Sequence, residues 1–114
     1  MIPKPFVDGP EYLAVAATNV YTPPTGQKAL IRQIRLMNTA AATRTVSLWL
    51  GATGASAGGT ELLKDFTLTA TGTDGSEKDI FLQDLPVDVG TFLVGLASVA
   101  SSVTITTIGV LVAA

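Results

Sequence analysis

The chain has 114 residues, of which 47% are apolar and 14% charged, and its net charge is -2. One domain fits that length, the apolar content excludes charge-driven disorder, and the acidic balance argues against a general nucleic-acid binder. With no Cys and no His, there is no disulfide framework or thiol chemistry, and the commonest metal ligand and usual general base are both missing.

Met1–Pro10 reads as an extended arm, because Pro3, Pro5 and Pro10 disfavour helix and no apolar signal-like stretch is present. Tyr12–Ala17 predicts the first strand, extendable to Tyr21, and Thr22–Gly26 a turn. Lys28–Asn38 is the clearest strand, and Thr39–Thr43 a small-residue loop. In Thr45–Gly51, Val46, Leu48 and Leu50 share one face and Ser47 and Trp49 the other. Trp49 then reads either as an interface anchor or, with a register shift, as core.

Ala52–Thr60 is a Gly/Ala/Ser-rich connection. Glu61–Ala70 alternates, with Leu62, Phe66 and Leu68 inward and Lys64 out of phase. Asp74-Gly75 marks a hairpin turn. Lys78–Leu82 predicts a short strand and Leu85–Gly90 a connection through Pro86. Thr91–Val99 and Ser102–Val112 predict a final hairpin, whose apolar run is too short to span a membrane. Short strands rich in Val, Ile and Thr, with frequent turns, predict an all-β fold: an antiparallel β-sandwich, jelly-roll-like, over residues 11–114, preceded by the arm.

Charge is segregated. Lys28, Arg32, Arg35 and Arg44 are the only charges between Tyr12 and Thr60, and seven acids follow between Glu61 and Asp88. Beyond Val89 there is none. An uncharged terminal hairpin makes a poor exposed edge, so it is either central in the sheets or covered by another subunit.

Catalytic motifs are weak. Gly54-Ala55-Ser56-Ala57-Gly58 fits the hydrolase pattern G-x-S-x-G, but it has no His base. Asp74, Glu77, Asp79, Asp84 and Asp88 carry oxygen ligands without an EF-hand spacing, and without flanking aromatics they make no glycosidase cleft. The expectation is no enzyme, no cofactor and no metal. The arm residues Ile2, Phe6 and Val7 are apolar groups available to dock on a neighbour. Arg32, Arg35 and Arg44 offer polar contacts to an acidic partner, or pair within the domain.

The pattern Tyr21-Thr22-x-Pro24-x-Gly26-x-Lys28-Ala29-Leu30-Ile31-Arg32-x-Ile34-x-Leu36-x-Asn38-Thr39, followed by Val46-x-Leu48-x-Leu50, resembles small structural proteins of tailed bacteriophages. The resemblance covers about a third of the chain and implies a β-sandwich component of the virion. Some such proteins decorate or cement the head shell, often as trimers; others belong to tails or necks. The expected reading is a decoration protein on the head surface, bound to the major capsid protein and forming a homotrimer, with no nucleic-acid or membrane partner. A tail, neck or fibre component is the alternative, and a carbohydrate-binding module is the second.

Overall fold

The computed structural model describes residues 4–16, 18–51, 60–87 and 92–113. Eight strands run in order: β1 (Lys4–Tyr12), β2 (Thr18–Tyr21), β3 (Gln27–Asn38), β4 (Arg44–Gly51), β5 (Thr60–Leu68), β6 (Glu77–Val87), β7 (Phe92–Ala97) and β8 (Val103–Ala113). Sheet I has the order β1-β8-β3-β6, and sheet II has β2-β7-β4-β5. All pairings are antiparallel. The pairs β1–β8, β2–β7, β3–β6 and β4–β5 are nested, so the chain runs as one long hairpin rolled into two sheets. That is jelly-roll topology, and the all-β sandwich expected from composition is the fold found.

The core forms where alternate residues turn inward. Ala29, Ile31, Ile34 and Leu36 of β3 meet Val46 and Leu48 of β4, Leu93 of β7, and Val103 and Ile105 of β8, all essentially inaccessible. Asn38 ends β3 and ties the sheets together. Its Nδ2 donates to the carbonyls of Thr69 (2.8 Å), Ala42 (2.9 Å) and Leu68 (3.3 Å), and its Oδ1 accepts from the Ala40 N–H (2.9 Å).

Three expectations are corrected. Residues 4–10, expected as an arm, are most of β1 and pair with β8 in their own sheet. Proline is tolerated there because β1 is an edge strand and needs hydrogen bonds on one side only. The connection expected at Leu85–Gly90 is strand as far as Val87, with Pro86 again on an edge. The predicted final hairpin is not one, because β7 and β8 lie in different sheets, and each is central. Of the two readings for that uncharged segment, the fold bears out the central one.

Bulges set which side chains face out. In β5, Lys64 and Asp65 together span the place of Ser47 in β4, so Leu63 and Phe66 pair with Leu48 and Val46. This accounts for the phase break at Lys64. Asp65 takes a left-handed φ of 47°, and Ser47 Oγ accepts its N–H at 2.9 Å. In sheet I the register slips between Ile31 and Gln33 of β3 and between Phe81 and Leu85 of β6, with Asp84 at φ 53°. Pairing also slips on β1 and β2, so every edge strand carries an irregularity. Such edges resist pairing with another chain.

Candidate docking face

The outward side of sheet I is built by strand alternation. Ile31, Ile34 and Leu36 of β3 and Ile80 and Leu82 of β6 belong to the core side. Leu30, Gln33, Arg35, Met37 and Phe81 therefore face out. Register aligns them into rungs. One rung runs Val7–Ile108–Gln33–Phe81 across all four strands, and the next runs Pro5–Val110–Leu30–Pro86. Seven of these eight residues are apolar. Val7 is 67% and Phe81 75% exposed, on opposite edges of the sheet.

The following rungs are polar. Thr106, Arg35 and Asp79 share one, and Tyr12, Thr104, Met37 and Glu77 share another. The bulge brings Arg32 and Arg35 to the same outer face, where plain alternation would separate them. Arg32 Nε lies 2.7 Å from Asp84, and Arg35 lies 2.7 Å from Glu77 and 3.8 Å from Asp79. Gln33 Nε2 donates to Asp79 at 3.3 Å. The acids of β6 thus neutralise the arginines of β3. Of the two readings for Arg32 and Arg35, contact to an acidic partner or pairing within the domain, the structure shows pairing within the domain. A shallow groove of about 330 Å³ opens on this part of the face, lined by Pro10, Arg35, Met37, Thr39, Thr104 and Thr106.

The other expected contacts are dispersed. Ile2 and the G-x-S-x-G segment lie outside the described residues, as does Asp88. Phe6 turns inward, packs against the core and stacks on Tyr21 with ring centroids 5.0 Å apart. It pins β1 to β2 of the other sheet and is a structural contact of its own chain, which corrects its expected docking role. Arg44 begins β4 in sheet II, away from Arg32 and Arg35, and its Nη1 donates to the Thr43 carbonyl at 3.0 Å. Trp49 faces away from the core side of β4, opposite Val94 of β7, and is only 8% exposed. It is buried rather than an exposed anchor, and it sits beside a β4–β5 register shift between Leu48 and Trp49, outside the inner core cluster.

A second electrostatic feature lies at the inner side of β1. Burial raises the carboxyl pKa of Asp8 and of Glu11, and the charge of Asp8 raises Glu11 further. The phenol of Tyr21 is raised by burial and then by Asp8. Asp8 is the cross-strand partner of Thr107, whose buried hydroxyl has no hydrogen-bond partner among the described residues. Among those residues no three acidic side chains converge in a way that could hold a metal ion.

Phe81 was not singled out in the sequence. Its signal was phase: it lies between Ile80 and Leu82, both inward, so a strand there must display the ring. Comparison with known proteins returns no matching family model, no matching curated sequence and no matching solved structure.

Proposed function

We propose that this chain is a structural protein of a tailed-phage particle, a decoration protein that cements the head shell, and that the outer face of sheet I is its contact with neighbouring subunits. The observation carrying this reading is the outward rung that ends at the exposed Val7 and Phe81, beside a second rung from Pro5 to Pro86 in which Val110 is itself buried. A solvent-facing sheet normally alternates apolar-in and polar-out, and contiguous exposed apolar surface marks an interaction site. The jelly roll is a recurrent architecture of viral capsid and lectin domains, and the Tyr21–Leu50 resemblance points to the first of these.

Cementing needs no chemistry. It needs buried area across junctions, repeated over many equivalent sites, so modest contacts accumulate. A tail or neck location uses the same physics at lower copy number. The carbohydrate-binding reading loses two of its three rings, since Trp49 is buried and Tyr21 is stacked on Phe6, while Tyr12 stays 57% exposed.

Quantitative mass spectrometry of purified particles tests the proposal. A chain-to-shell-protein ratio near one to one, or another large lattice fraction, supports decoration. A few copies per particle moves the chain to the tail or neck, and absence from particles overturns the virion reading.

A further inference from the structure

We propose that the outer face of sheet I pairs with the same face of a second copy, Phe81 of each copy seating in the groove of the other. This rests on the reading of that face as a contact surface and names its partner.

Three observations select a second copy. The first is complementarity within one face. Phe81 presents an aromatic ring that is 75% exposed, and the groove at Pro10, Arg35, Met37, Thr39, Thr104 and Thr106 offers about 330 Å³ to receive it. Met37 and the threonine methyls supply apolar walls, and the Arg35 guanidinium can lie against a ring. Along β3, Arg35 and Met37 lie two and four residues beyond Gln33, the rung partner of Phe81. Ring and groove are therefore roughly 10 Å apart along and across the sheet. Both point the same way, so neither can fill the other within one chain. Two copies stacked face to face about a two-fold axis satisfy both contacts at once, because residue i meets j and j meets i.

The second observation is charge. The face carries Lys28, Arg32 and Arg35 beside Glu77, Asp79 and Asp84, three cations and three acids. A balanced face meets its own copy without net repulsion. A strongly charged partner would gain nothing from arginines already paired.

The third is size and access. Four strands about 4.8 Å apart and roughly 30 Å long present on the order of 600 Å² of flat surface, close to the roughly 800 Å² per partner of a standard stable interface. The irregular edges oppose lateral sheet extension, which leaves the face as the route to self-association. A reciprocal contact of this kind closes as a pair, in place of the homotrimer expected from the resemblance.

The test is the mass of the purified chain by light scattering and sedimentation, with Phe81→Ala and the groove-filling Thr106→Trp. Wild type is expected at twice the 11.7 kDa chain mass. Each variant is expected to associate at least tenfold more weakly while keeping wild-type circular dichroism. Mixed together, the two variants should partly recover pairing, since the ring of one fits the open groove of the other. If Thr106→Trp fails to fold, Thr39→Trp fills the groove from its exposed rim instead. A wild-type chain that stays monomeric at millimolar concentration overturns the pairing, as do variants that pair like wild type or a mixture that recovers nothing. A monomer that binds isolated shells through Phe81 also overturns it, and gives the face to the shell subunit. Particle copy number is measured separately, so pairing can fail while the virion reading stands, and the reverse.

Discussion

Val7 and Phe81 stand at the two ends of one cross-strand rung, on opposite edge strands of the same sheet, and are the two most exposed large apolar side chains among the described residues. Neither supports the core. Replacing both with Ser is expected to leave the thermal midpoint within about 3 °C of wild type, as for surface positions generally. Association with neighbouring subunits should fall at least tenfold. A calorimetric scan beside a binding assay separates the two effects, and a large loss of stability would return these residues to a structural role.

Asn38 makes the opposite prediction. Its amide serves three carbonyls and its oxygen one N–H, with the side chain fully buried. Asn38→Ala removes all four of these hydrogen bonds and should cost about 2–4 kcal/mol in urea unfolding. Asn38→Asp should also destabilise, because it presents a carboxylate to carbonyl oxygens.

Gly109 is required by close approach. A Cβ there would overlap the Leu30 carbonyl oxygen on the neighbouring strand. Gly109→Ala must push β8 and β3 apart at the centre of sheet I, and is expected to cost about 1–3 kcal/mol, as overpacking does. The exposed turn residue Gly72, with open space at its Cβ but φ +80°, should lose only the smaller conformational cost of an Ala substitution.

Acidity should stabilise the fold. Asp8 and Glu11 hold their protons more tightly folded than unfolded. The folded state therefore binds more protons across that window, and stability falls as pH rises through it. The stabilising contribution is complete below ordinary carboxylate pKa values and is lost as pH passes the raised folded-state values. Asp8→Asn is expected to flatten this dependence and to be neutral or stabilising at pH 7. Urea midpoints between pH 4 and 7 check the sign, and a steeper slope in the variant would contradict it.

The ion pairs on the outer face should matter little to stability. Arg32, Arg35, Asp84 and Glu77 have side chains between 41% and 57% exposed. Arg35→Gln should cost under about 1 kcal/mol, since exposed pairs contribute little net.

The fold class was legible because β-branched residues and turn signals recur along the chain, and β3 and β4 were found within a residue or so. β1 was not, because Pro5 and Pro10 speak against an interior strand and are silent about an edge. Pro86 hid the end of β6 in the same way. The docking face was half legible. The charges of Arg32 and Arg35 could be read, but their pairing with Asp84, Glu77 and Asp79 depends on a bulge that has no local sequence mark. Lys64 did show such a mark, as a charge in an inward phase, and the bulge at Asp65 is its cause.

The nested strand order sets a timetable for the nascent chain. Apart from β8, β1 has no lateral neighbour, and β8 follows every other strand in sequence. On a ribosome adding about 5–20 residues per second, Lys4–Tyr12 waits several seconds for its partner. Over the same interval β3 shows one open edge. Sheet I can close only after β8 has emerged, so long-range pairing makes folding of this chain slow and late. Until then its apolar strands stay exposed, the condition in which nascent chains are prone to aggregate.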